Sequence, residues 1–154
     1  MVNIPKLTTR GGGTRKRRIP GVDYLDEEYR MLIAGPSGSG KTNLLSYMLQ
    51  APLVPYDEIY IYSPNFHQEL IQDLVKVMHK YSQRLGYQIL HLIDPTQIPD
   101  TIEYPAKGRK VVIFDDLITA PKKTQDKIVK HFIDGRHHQI SPVYLSQSDR
   151  KSVV

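Results

Sequence analysis

Between positions 35 and 42 the chain reads Gly35-Pro36-Ser37-Gly38-Ser39-Gly40-Lys41-Thr42. Two glycines bracket four residues, and a lysine and a hydroxyl follow at once. This is the G-x-x-x-x-G-K-[ST] spacing, and each part has a physical task. Glycine lets the backbone turn through positive φ and approach an anion closely. Successive N–H groups then point inward and form an anion nest. A helix that starts here adds its dipole and free donors. The spacing assigns Lys41 to the β- and γ-phosphates of a nucleotide and the Thr42 hydroxyl to a Mg²⁺ ion. ATP and Mg²⁺ are therefore the expected cofactors. Four positions are fixed, so a random match in a chain of this length arises on the order of 0.5% of the time.

The second chemical feature is Val111-Val112-Ile113-Phe114-Asp115-Asp116, an apolar run ending in two acids. In a parallel sheet, ligands bind at the carboxyl ends of strands. Asp115 is expected to hold Mg²⁺ through its water shell. Asp116 comes next and is expected to point elsewhere. It is the candidate to orient or deprotonate an attacking water. The other reading of Asp116 is a cap on the following segment, or a ligand to a metal-bound water.

A third segment holds Gly135-Arg136-His137-His138 and runs on through Ile140 to Gln147. Gln147, at the tip of a strand beside that of Asp115, is a candidate to touch the γ-phosphate or its water. Arg136 sits at the opposite end of the same strand. It reads either as an arginine finger for a neighbouring subunit's nucleotide, or as a surface arginine near a helix end.

The elements that must carry these residues alternate. Met31–Ala34 reads as a buried strand and Thr42–Gln50 as a helix with Leu44, Leu45, Met48 and Leu49 on one side. Glu58–Tyr62 is a strand. His67–Arg84 is an amphipathic helix bearing Leu70, Ile71, Leu74, Val75, Met78 and Tyr81, stopped by Gly86. Gln88–Ile93 and Lys110–Phe114 are strands, Thr124–Asp134 is a helix burying Ile128, Val129, Phe132 and Ile133, and Pro142–Ser146 is a last strand. Strand–helix alternation predicts an α/β domain with a mainly parallel sheet. With the glycine-rich turn it predicts a P-loop NTPase three-layer sandwich, its C-terminal part missing.

Bulk properties bound the answer. The chain has 154 residues, 40% apolar and 24% charged, enough for one domain with a core. It has no cysteine, which excludes a disulfide scaffold and a thiolate zinc site and fits a reducing compartment. It has no apolar run of membrane-spanning length and no apolar N-terminal leader, so an intracellular protein is expected, neither secreted nor in a membrane. The net charge of +5 arises in the tails. Residues 1–18 carry six basic residues and no acid, whereas residues 19–148 carry 13 basic and 15 acidic residues. A high isoelectric point therefore says little about a DNA groove on the domain. Residues 1–22 read as a disordered basic tail, in which Arg15-Lys16-Arg17-Arg18 is a nuclear address, a nucleic-acid arm or simply solvated charge. Residues 23–148 read as the core.

Together, Gly35–Thr42, Val111–Leu117 and Gly135–Gln147, in that order, resemble the poxvirus-type genome-packaging ATPases of large DNA viruses. These belong to a group of P-loop translocases that also holds bacterial DNA pumps. The most distinctive piece is Gly135-Arg136-His137-His138-Gln139-Ile140-Ser141 with Tyr144-Leu145-Ser146-Gln147. The resemblance spans about Arg30 to Ser148, and Pro142 departs from it where a plain strand residue is expected. It implies a homo-oligomeric ring in which Arg136 serves the neighbour's site, ATP hydrolysis that drives double-stranded DNA into a capsid, and capsid or portal proteins as partners at a viral assembly site in the host cytoplasm or nucleus. The alternatives are a P-loop nucleotide or small-molecule kinase, or an inactive nucleotide-binding remnant of a viral insertion. No arginine cluster follows Asp116 to supply a kinase lid, and intact Lys41, Thr42, Asp115 and Asp116 argue against decay.

The family pattern would continue past Ser148, but Asp149-Arg150-Lys151-Ser152-Val153-Val154 follows. A common sequencing-adapter read encodes these six residues and a stop, so 149–154 are expected to be non-native and the chain truncated. A further strand is then expected beside Met31–Ala34. Without it that edge is open and apolar, and the fragment is expected to aggregate or to bind ATP poorly.

Overall fold

The computed structural model describes residues 28–50, 56–105 and 107–147. The expected tails at 1–22 and 149–154 lie outside the described residues. Five strands form one wholly parallel sheet: β1 (Met31–Gly35), β2 (Glu58–Tyr62), β3 (Leu90–Ile93), β4 (Lys110–Asp115) and β5 (Ile140–Gln147), in the order β1-β5-β4-β2-β3. Three α-helices connect them: α1 (Lys41–Gln50), α2 (Glu69–Leu85) and α3 (Lys122–Asp134). The α/β class and the P-loop type of sandwich are as the sequence predicts.

The pleat explains the layers. Along a strand, alternate residues face opposite sides. Val111 and Ile113 of β4, with Ile59, Ile61, Val143 and Leu145, meet Leu45 and Leu49 of α1 and Leu74 and Met78 of α2. Val112 and Phe114, with Tyr60, Tyr62 and Ile140, meet Ile128 of α3. β4 has a neighbour on each side and a helical layer on each face, so all six of its residues are buried. An unbroken apolar run is what such a strand requires.

Several side chains expected inside are outside. Leu44 of α1 is 50% exposed, because the inward stripe centres on Leu45 and Leu49. On α3, Val129 and Ile133 are 51% and 59% exposed. Among the described residues α3 is the only α-helix on its face, so nothing covers its flanks. Tyr81 of α2 is likewise at the surface. Among the described residues β1 is an edge strand, paired only with β5, and its Leu32 is 67% exposed. Met31–Ala34 is thus not the buried strand that its apolar run predicts: none of its residues is buried, because one side of β1 has no neighbouring strand among the described residues.

β5 starts two residues before the expected Pro142 and ends one after Ser146. Pro142 is tolerated inside it for a geometric reason. Gln139 O and Leu145 O both accept from the β4 side, from the N–H groups of Lys110 and Asp116. Odd-numbered residues of β5 therefore face β4. Pro142 faces β1, whose ladder begins only at the Met31–Val143 pair. Its missing N–H falls where no ladder bond is due.

A buried histidine joins α3 to the sheet. His131 Nδ1 lies 2.8 Å from Lys127 O, which can only accept, so Nδ1 carries the proton. Nε2 then accepts from the Tyr104 hydroxyl at 2.8 Å, and Tyr62 donates to Tyr104 at 3.1 Å. Burial holds His131 below its ordinary value of 6.5. Its charged form is thus favoured in the unfolded chain. Stability is full above about pH 6.5 and falls as pH drops below it. His131→Gln keeps an acceptor for Tyr104 without the titration. Urea midpoints at pH 7.5 and 5.5 are expected to differ less for this variant than for the wild type.

Candidate functional site

The strand order gathers the chemically capable residues at one edge. The register pairs Gly35 with Gln147 and Leu145 with Asp115. β1 and β5 therefore end level, and β4 ends two residues earlier, opposite Leu145. Gly35 and Asp115 lie on strands separated only by β5, about 10 Å apart at two strand spacings. Between them opens a cleft of about 280 Å³, lined by Gly38, Lys41, Thr42, Asp115, Asp116 and Gln147 among others.

The turn after β1 has the backbone that its glycines foretell. Gly38 and Gly40 take φ of 75° and 89°, conformations that side-chain-bearing residues rarely adopt. A Cβ at Gly35 would lie 2.7 Å from Ser39 Oγ, so a side chain there would require that hydroxyl to turn away. The first bond into α1 runs from Leu44 N–H to Gly40 O at 2.9 Å. The amides of Lys41, Thr42 and Asn43 precede that bond, and a helix start leaves such donors for an outside acceptor. Lys41 Nζ donates to Gly35 O at 2.7 Å and Pro36 O at 2.9 Å. The ammonium is thus folded onto its own loop.

Asp115 and Asp116 are made different by their surroundings. Asp115 is buried, with Ser63 Oγ donating to its Oδ2 at 3.0 Å. Burial pushes its carboxyl above the usual range, with a smaller push from Asp116; Ser63 and the Lys41 ammonium pull the other way. A desolvated acid next to a hydroxyl and a phosphate cradle is a hard-oxygen site suited to a divalent cation. Asp116 is exposed and has φ of 53°. The alternation expected beyond Asp115 predicts that it points elsewhere; instead its left-handed backbone turns out of the strand and both acids line the same cleft. Such a φ is uncommon outside glycine, asparagine and aspartate, and outliers of this kind cluster at functional sites.

Gln147 also lines the cleft, at the tip of β5. Arg136 does not. It stands in a 3₁₀ turn, Gly135–His138, before β5, and beside Glu28 and Arg30 at the other end of the sheet. Five strand residues, Ile140–Tyr144, stand between it and Leu145, the first β5 residue to line the cleft, about 17 Å, so its side chain does not reach its own site. Sequence reasoning missed Ser63, Gln68 and Leu70. Ser63 contacts Asp115, and the other two line the cleft from the approach to α2 and its first turn. No motif marks them; only the β2–β4 pairing brings them in.

A comparison with curated proteins gives no match. Among the described residues no helix is long and apolar enough to cross a membrane. The family model for the poxvirus A32 protein matches residues 21–152, most of the chain and all of the cleft described above. The chain therefore belongs to the poxvirus A32 family of genome-packaging ATPases.

Proposed function

We propose that the cleft binds ATP with Mg²⁺ and hydrolyses it to move double-stranded DNA during viral genome packaging. The observation that carries this is the meeting, in one cleft, of the Gly35–Thr42 cradle with the two acids that end β4. The cradle fits a polyphosphate: two glycines at positive φ, free helix-start amides and one ammonium. The acids fit its cation.

The nucleotide brings a phosphoanhydride bond and Mg²⁺ brings neutralisation of its charge. The rest falls to the chain. Amides of Gly38–Thr42 hold the phosphates in line. Lys41 leaves Gly35 O and Pro36 O to place its charge where negative charge develops. Thr42 and Asp115 supply oxygens to the cation. Asp116, exposed and able to accept a proton, orients the attacking water. Gln147 marks the terminal phosphate or that water. Arg136, excluded from its own site by distance, serves a neighbour's site in a homo-oligomeric ring. Capsid or portal proteins are the partners that fit such a ring, within the infected cell.

Phosphate release without any acceptor substrate, stimulated by duplex DNA, tests this reading. A product phosphorylated on a small molecule, or turnover indifferent to DNA, counts against it.

A further inference from the structure

The end of β2 carries a residue with no part in the roles above. Tyr62 pairs with Phe114 as the last β2–β4 pair, so Ser63 stands beside Asp115 one residue further on. Ser63 is 2% exposed. Its hydroxyl lies 3.0 Å from Asp115 Oδ2 and 3.2 Å from Asn65 O, and it accepts from Asn65 N–H at 3.2 Å. One hydroxyl holds one proton, so it donates to the acid or to the turn carbonyl, one at a time. The accepted Asn65 N–H bond fixes the oxygen in place for either choice.

The geometry has a direction. β2 flanks β4 on the side away from β5, whereas the cradle lies beyond β5 on the other side. A donor from β2 that occupies Oδ2 leaves the second oxygen of Asp115 for the cleft. Second-layer donors of this kind orient a ligating oxygen before the cation arrives, and their loss typically weakens a metal site by about 10–100-fold. An ordinary serine turn accounts for the Asn65 bonds alone. It does not account for a buried hydroxyl aimed at an acid across the sheet.

We propose that Ser63 is a positioning residue for the cation site: its hydroxyl fixes Oδ2 of Asp115 so that the carboxylate faces the cleft before Mg²⁺ arrives. The second acceptor makes it a relay as well. When the hydroxyl turns to Asn65 O it releases the acid and tightens the turn leading to Gln68 and Leu70, which line the same cleft. The inference rests on the reading of Asp115 as the cation-holding acid.

The test is the Mg²⁺ dependence of nucleotide binding, read from the fluorescence of a labelled ADP in the full 154-residue chain, without turnover. Ser63→Ala and Ser63→Cys are expected to need about tenfold more Mg²⁺ for half-maximal tightening. Their affinity in EDTA is expected to stay within about twofold of wild type. Ser63→Thr, which keeps the hydroxyl, is expected within about threefold of wild type in Mg²⁺ demand. An unchanged Mg²⁺ midpoint in Ser63→Ala overturns the proposal. So does an equal loss in EDTA, which marks a merely structural serine. Lys41→Ala separates the two levels. If it binds as the wild type does, the ATP reading fails and this inference with it. If it loses binding while Ser63→Ala is normal, only the inference fails.

Discussion

Asp116→Asn is expected to lower phosphate release by about 10²–10⁴-fold, the range for losing a general base, with nucleotide affinity within about threefold of wild type. The substitution is chosen for its backbone. Asp116 holds φ at 53°, a left-handed conformation that asparagine tolerates nearly as well as aspartate. Shape and hydrogen-bonding reach are kept, and the ability to take a proton is lost. Asp116 is exposed, so removing its charge leaves no buried partner orphaned. An effect on turnover alone marks a water-orienting acid. A residue that merely caps the segment after β4 would lower thermal stability and leave turnover intact. Steady-state phosphate release and a labelled-nucleotide titration on the same sample decide between them.

Lys41→Ala is expected to weaken triphosphate binding by about tenfold or more and to lower turnover by at least about 10²-fold, the scale of deleting one preorganised donor. The fold should survive. Among the described residues, Lys41 Nζ bonds only the carbonyls of Gly35 and Pro36, at a part-buried and an exposed position where water can take its place. The lysine therefore contributes little to the resting structure and much to the liganded one. A melting temperature within a few degrees of wild type, beside a collapse of turnover, is the expected pair of results.

What was legible in the residues follows from how local each feature is. The cradle is eight consecutive residues, and its glycines announce the positive φ seen at Gly38 and Gly40. β4 announces itself as a continuous apolar run because both of its faces are covered. The less visible features depend on neighbours distant in the chain. Ser63 matters only once β2 pairs with β4, 52 residues away from the acid it contacts. Asp116 reaches the cleft only because its backbone leaves the strand geometry on which alternation relies. Val129 and Ile133 fit a helical stripe, yet they stay outside because α3 has no companion helix among the described residues. His131 is the one histidine of α3, and no motif marks it. Tyr104, from the connection between β3 and β4, makes it part of the core.

The central claim is that the amides of the turn after β1 receive a nucleotide's phosphates. Amide hydrogen exchange resolved at Gly38–Thr42, with and without a non-hydrolysable ATP analogue and Mg²⁺, tests it most directly. The account predicts marked slowing across these amides in the bound state, absent in Lys41→Ala at the same analogue concentration. Exchange at Gly38–Thr42 that is unchanged under saturating analogue, or protection appearing elsewhere on the sheet instead, would contradict it.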